Sequence, residues 1–336
     1  MITRNNKIRH IPDWQRELSC AITDLDELLE IIGLTAEQLN ISEAAKKQFS
    51  LKLPRPFLHR IKKSCPDDPL LRQILPVSAE MKACDGYSKD PVADQSFLVS
   101  AGVLQKYQGR ALMIATGACA IHCRYCFRRH FPYHSHRASE DNWQAAINYF
   151  KQHSDLTEVI LSGGDPLTLS DNRLLRLINK IEQIDHVTTL RIHTRLPVVL
   201  PERICPELLT WIAASRLKII FVIHCNHANE IDSHVIQALQ ALQERQVTLL
   251  NQSVLLKNIN DNADVLSDLS QQLFNAGVLP YYLHLLDPVE GAAHFNVEQD
   301  IAKQLLCKMR RQLPGYLVPR LVQEQPGKDS KTPVTD

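Results

Sequence analysis

From about residue 108 onward, β-branched apolar runs alternate with segments of helical period at a spacing of roughly thirty residues, the size of a βαβ unit. The runs occupy residues 110–116, 158–161, 188–194, 218–224, 247–255 and 281–286. Helical segments lie between them at 139–153, 170–184, 206–215, 230–245 and 263–276. Six such units predict an α/β fold of the (β/α)6 type, a parallel barrel or an open, partly closed version of one. A doubly wound sheet is the competing fold. Chemistry in such folds sits at the C-terminal ends of the strands. Ser162, Gly163, Gly164 and Asp165 follow the second run, His193 and Arg195 end the third, His224 ends the fourth, Asn251 and Gln252 lie in the fifth, and Asp287 follows the sixth.

Residues 1–95 lack this rhythm. Leu18, Ile22, Leu25, Leu28, Leu29 and Ile32 recur at three- and four-residue steps, predicting one helix from Asp13 to Gly33. Thr35 and Gln38 have the spacing of a cap that opens another. Pro54, Pro56, Pro66 and Pro69 then break the chain repeatedly. The expected organisation is a helical N-terminal region (1–95), the barrel (96–315), and a final strand near 316–322 leading into a C-terminal segment (316–336). By composition the last stretch is a loose tail.

A net charge of +1 draws the chain to neither nucleic acid nor an anionic membrane surface. The polar opening MITRNNKIRHIPDW has no apolar core of signal-peptide length, and no apolar stretch approaches the ~18–20 residues that span a bilayer. The expectation is a cytosolic protein, in which a disulfide framework is unexpected. Of nine cysteines, Cys20, Cys65, Cys84, Cys205, Cys225 and Cys307 stand alone and read as small buried hydrophobes. Cys119, Cys123 and Cys126 cluster directly after the first barrel strand. Ordinary four-iron clusters take four thiolates. Three thiolates leave one iron open to chelate an amino acid. A structural zinc ion is the alternative; it needs four ligands, and His122 or His130 is available as the fourth.

The spacing Cys119-x3-Cys123-x2-Cys126, with Tyr125 before the third cysteine, resembles the radical S-adenosylmethionine signature. Ser162-Gly163-Gly164-Asp165 resembles that superfamily's segment for the methionyl amino group. The resemblance narrows at Arg128-Arg129-His130-Phe131, at Asn251 to Leu256, and at Pro326-Gly327 through Lys331, which look like lysine 2,3-aminomutase. This implies a radical S-adenosylmethionine partial barrel binding a 4Fe–4S cluster, S-adenosylmethionine and pyridoxal 5′-phosphate. It implies Schiff-base formation by Lys331, with Lys328 as the nearby competitor. Arg128 would hold the substrate carboxylate. Asp287 and Glu324 would hold the distal ammonium, Glu324 standing where the family has aspartate. Arg110 would approach the coenzyme phosphate, and Lys106 stands where the family has a further arginine. Tyr125, His224 and Gln252 would face the cofactors.

Larger members of the family carry a zinc segment. Here Asn262 replaces one of its cysteines and the sequence ends five residues after Lys331, so no zinc is expected. The short form resembles the bacterial branch that makes (R)-β-lysine from (S)-α-lysine for elongation factor P. That implies a link to this factor and its lysyl ligase, and an electron-donor protein, with no nucleic-acid or membrane partner. Two rivals are a radical enzyme for another amino acid, which the paired acids disfavour when the substrate is acidic, and an iron–sulfur sensor without turnover, which needs no Schiff-base lysine.

Overall fold

A computed structural model describes residues 12–133 and 140–335. Most of the polar opening read for a signal peptide lies outside the described residues, as does Ser139, the expected start of the first barrel helix. Ten strands form one sheet in chain order: β1 (Leu98–Ser100), β2 (Val103–Tyr107), β3 (Arg110–Thr116), β4 (Glu158–Gly163), β5 (Thr189–Thr194), β6 (Lys218–Ile223), β7 (Thr248–Val254), β8 (Leu279–His284), β9 (Arg320–Gln323) and β10 (Thr332–Pro333). Strands β3 to β9 are parallel. The sheet ends are antiparallel, β1 and β2 before β3 and β10 after β9. A doubly wound sheet reverses its strand order at a switch point. Here the order runs without reversal, which decides for the partial barrel.

The crossovers carry helices Glu140–Gln152, Asp171–Glu182, Pro206–Ala214, Ser233–Gln243 and Ala263–Asn275, close to the expected spans. A sixth helix, Gln299–Gln312, was not anticipated. Period-2 alternation divides each strand between two environments. Val159, Leu161, Leu190, Ile192, Phe221 and Ile223 face outward into one core with Leu174, Leu177 and Leu239 of the helices. The other face of the same strands carries Glu158, Arg191, His193 and Ser162. A barrel interior lined by charged and polar groups is equipped for a ligand rather than for packing.

The N-terminal region shares that core through Trp14, Leu28, Phe57 and Leu71. It is not one long helix. Helix Asp13–Ser19 stops, Ile22 makes an antiparallel bridge to Leu53, and a second helix, Leu25–Ile32, starts on Asp24. The Asp24 carboxylate accepts from the N–H groups of Asp26 (2.7 Å) and Glu27 (3.2 Å), a strong N-cap inside the continuous apolar pattern. Thr35 and Gln38 do form a reciprocal pair, Thr35 N–H to Gln38 Oε1 at 2.8 Å, but the chain there only turns. The expected strand at 316–322 is split. Gly315–Leu317 is a 3-10 turn after Pro314, and β9 begins at Arg320. Of the isolated cysteines Cys225 is buried, but Cys20 and Cys84 are exposed in irregular connections, against expectation. Among the described residues no helix is long and apolar enough to cross a membrane.

Glu80 joins the N-terminal region to the barrel. Its carboxylate accepts from Arg124 Nε (2.9 Å) and Nη2 (2.6 Å) and from Arg129 Nη2 (2.7 Å), with all three side chains fully buried. Removing one member of a buried ion pair strands the other's charge, at a cost of about 3–5 kcal/mol. Arg124→Met should therefore lower the urea midpoint of the protein by a corresponding amount. An unchanged midpoint would show that the triad holds nothing together.

Candidate active site

The cysteine loop leaves the C-terminal end of β3 and is held largely by the N-terminal region. His122 N–H donates to Lys52 O (3.0 Å), Arg124 N–H to Gln73 O (2.9 Å), and Lys52 Nζ to Cys119 O (2.8 Å). Within it, Cys126 N–H donates to Cys123 O at 3.0 Å, which folds the last two cysteines into one turn. Both histidines considered as further metal ligands spend a ring nitrogen elsewhere. His122 Nδ1 meets Ser50 O at 2.8 Å and His130 Nε2 meets Glu290 O at 3.0 Å.

The glycine turn after β4 packs directly on this loop. Gly164 N–H donates to Thr116 O (2.8 Å) and Asp165 N–H to Ala118 O (2.7 Å). Gly163 has φ +118°, and a Cβ there would lie 2.4 Å from Thr116 O. A Cβ on Gly164 would lie 2.3 Å from Ala118 O. Both contacts are with backbone, so no side-chain rotation relieves them. The Asp165 side chain braces the turn. It accepts from Thr194 Oγ1 (2.7 and 2.9 Å) and from the N–H groups of Arg195 (2.7 Å), Leu196 (3.2 Å) and Leu167 (3.1 Å). Those four donors fix the carboxylate in place beneath the turn.

Below the rim, buried polar side chains line the interior. Arg128 Nε donates to Asp94 Oδ2 at 2.7 Å and its Nη1 to Ser162 Oγ at 3.2 Å. Lys106 pairs with the other oxygen of Asp94 at 2.8 Å. Sequence reasoning missed Asp94; it stands in a 3-10 turn (Asp94–Phe97), where no periodicity marks it. His224 and Gln252 bond to each other at 2.9 Å. Burial drives the His224 pKa down to about 3, and those of His193 and His284 well below the usual range. All three imidazoles are therefore neutral at physiological pH. Tyr125 lies at the base of the loop and receives Asn226 Nδ2 at 2.7 Å. Arg110 opens β3 at its far end, about 20 Å from the rim at ~3.3 Å per residue, with its guanidinium 4.7 Å from the Tyr107 ring.

The C-terminal segment is not loose. β10 pairs with β9, with Thr332 opposite Gln323, and Val334 N–H donates to Leu321 O at 2.9 Å. This pairing turns Lys331 inward, while Lys328 stays exposed on the preceding turn. Lys331 Nζ lies 3.0 Å from Glu324 Oε2 and 5.8 Å from the Tyr282 ring centre. Glu324 also accepts from Tyr107 Oη at 2.8 Å and lies 3.6 Å from Lys106. Burial opposes its charge, but Lys331 and Lys106 outweigh that and hold it below the usual carboxylate range. Asp287 differs. Burial pushes its pKa up to about 7, with Lys331 offsetting only part of the shift. The two acids thus face the same interior, one paired and ionised, the other balanced between its two forms.

Comparison with known proteins places these features. A model of the radical SAM superfamily matches residues 113–222, the span from the middle of β3 to β6. The chain is 48% identical over 335 residues to an L-lysine 2,3-aminomutase of Escherichia coli (strain K12), covering 99% of this chain and 97% of that one. A relative of the same name from Haemophilus influenzae is 46% identical over 325 residues, covering 97% and 96%. The chain belongs to the L-lysine 2,3-aminomutase family. Among solved structures, that of Streptococcus suis SuiB superposes with a TM-score of 0.48 at 12% identity, over 68% of this chain and 52% of that one.

Membership of the radical SAM superfamily implies a 4Fe–4S cluster and S-adenosylmethionine. The donor set fits the cluster. Three thiolates carried on one short loop can each reach a separate iron of one cubane. Burial and mutual repulsion raise the Cys119 pKa well above the usual thiol range and that of Cys126 to about 11. Thiols held at close quarters in a buried loop gain most from a cationic partner. Gly164→Ala should separate the turn from this loop. The variant is expected to lose S-adenosylmethionine binding by at least about tenfold in calorimetry, a cost of about 1.4 kcal/mol. Wild-type affinity would show that the close approach is dispensable.

Proposed function

We propose that this chain is a pyridoxal-phosphate-dependent radical S-adenosylmethionine enzyme that converts (S)-α-lysine to (R)-β-lysine. We further propose that the product serves the β-lysylation of elongation factor P through a separate lysyl ligase. The observation that carries this reading is the inward Lys331 beside Glu324 and Asp287, inside a barrel whose rim bears the three cysteines. When bound, the cluster with S-adenosylmethionine supplies a carbon radical able to take hydrogen from an unactivated carbon, and pyridoxal phosphate carries the migrating nitrogen.

The residues divide this work. Cys119, Cys123 and Cys126 would hold the cluster through their thiolates. Ser162 and the Gly163–Gly164 backbone receive the methionyl amino group, with Tyr125 packed beneath the loop. Lys331 would anchor the coenzyme, and Arg110 would supply charge for its phosphate. Lys106, bound to Asp94, orients the acidic side of the site. Arg128, fixed by Asp94 and Ser162, offers its fork to the substrate carboxylate. Asp287 takes the distal ammonium first, and Glu324 joins it once Lys331 is engaged elsewhere. His224 and Gln252, neutral and mutually bonded, align the reacting groups without adding charge. An external electron-donor protein reduces the cluster.

The decisive assay is anaerobic. The protein is reconstituted with iron, sulfide and pyridoxal phosphate, reduced, and incubated with S-adenosylmethionine and L-lysine. (R)-β-Lysine is expected by chiral chromatography, and Cys123→Ala should abolish it. S-adenosylmethionine cleavage without β-lysine would assign another substrate. The same product, added to cells lacking this chain, should restore the mass of β-lysylated elongation factor P; no restoration would remove the translation-factor role.

A pH dependence follows from Asp287. Its ionised form binds the ammonium, and its pKa is about 7. Lysine affinity should therefore rise by about tenfold from pH 6 to pH 8, as the ionised fraction of Asp287 grows. In Asp287→Asn the affinity should be weak and flat over that range. A flat wild-type profile would remove Asp287 from substrate binding.

A further inference from the structure

Arg195 ends β5 beneath the cysteine loop and is only 5% exposed. Its Nη1 donates to Cys123 Sγ at 2.7 Å. Its Nη2 donates to Gln73 Oε1 (2.7 Å) and Glu230 Oε2 (2.8 Å). Its Nε is buried without a protein partner. The Phe57 and Tyr125 rings lie 5.5 and 5.8 Å from the guanidinium carbon. The surroundings are fixed in turn. Glu230 Oε1 accepts from Gln73 Nε2 (3.1 Å) and Asn226 N–H (3.0 Å), and the Arg195 N–H is tied to Asp165. The guanidinium has no room to swing away from the sulfur.

We propose that Arg195 is a positioning residue that sets the reduction potential of the cluster, through its charge-assisted hydrogen bond to Cys123 Sγ. The inference rests on the reading of Cys123 as a cluster ligand. One-electron reduction adds negative charge to the cluster while Arg195 keeps its proton. A donor aimed at a ligand sulfur stabilises the form with more charge on sulfur, and second-shell hydrogen bonds tune iron–sulfur potentials in this way. Glu230 works in opposition. Its carboxylate neutralises most of the guanidinium charge at longer range, leaving the directed N–H to Cys123 as the main influence. The pair therefore makes the cluster easier to reduce than buried thiolates alone would, without placing a bare cation beside it.

The test is a potentiometric titration of the reconstituted holoprotein followed by electron paramagnetic resonance. Removing the donor in Arg195→Gln should lower the reduced fraction at fixed poise by about tenfold, or about 59 mV for one electron. Arg195→Lys keeps the charge but loses the fork, and should shift less in the same direction. Glu230→Gln keeps Arg195 and removes its counter-charge, so its midpoint should move to higher potential. Opposite signs for the two positions are a signature that a merely structural role does not produce. Unchanged midpoints with normal iron and sulfide content would overturn the proposal. If Arg195→Gln fails to assemble a cluster, Glu230→Gln decides alone, and no rise overturns it. A cluster retained in Cys123→Ala would instead defeat the underlying ligand assignment.

Discussion

Glu80 lies beneath the cysteine loop, closed off from water, with two arginines of that loop bound to its carboxylate. Three charges in so dry a place persist only because each has a partner. The loop they anchor has no regular secondary structure between β3 and the residues around Arg129, and irregular backbone needs outside partners for its N–H and C=O groups. Lys52 and Gln73 supply them from the N-terminal region, while Glu80 holds the two arginine side chains. On the other side the Gly163–Gly164 turn presses against Thr116 and Ala118. The N-terminal helices are thus the back wall of the reactive loop rather than an appendage, which is why Trp14 and Phe57 share a core with Leu161 and Phe221.

The barrel was legible because its periodicity is redundant. β4 and β5 repeat the same division between an apolar outer face and a largely polar inner one, and β3 was read to the residue. Where a single residue decides, the pattern misled. Asp24 interrupts a run of apolar spacing that reads as one helix, because a carboxylate capping two N–H groups outweighs periodicity. Thr35 and Gln38 form their pair without a helix; the chain beyond them turns, burying Leu39, and bridges Val77 at Ile41. The hairpin β1–β2 and the helix Gln299–Gln312 escaped notice because they fall outside the βα rhythm.

Sequence reasoning reaches the candidate reactive groups and not their supports. Cysteine spacing and the family resemblance single out Cys119, Lys331 and Arg128. Asp94, Gln73 and Glu230 have no motif, for they act through contacts between segments 34 to 157 residues apart in sequence. Asp165 shows the reverse case. Its place in the glycine turn suggests a cofactor contact, and its four protein donors give it a bracing role that no motif announces. Two carboxylates alike in sequence also diverge in the fold. Glu324 is pinned by Lys331, Lys106 and Tyr107, and Asp287 is left with burial and little compensation.

Among the described residues the ends of the sheet do not join by a ladder. β1 and β10 are both edges, and the gap between β2 and β9 is crossed by side chains, with Tyr107 and Lys106 reaching Glu324. A seam of this kind is a clasp rather than a weld. Parting the contacts of Tyr107 and Lys106 with Glu324 leaves every backbone strand pairing intact.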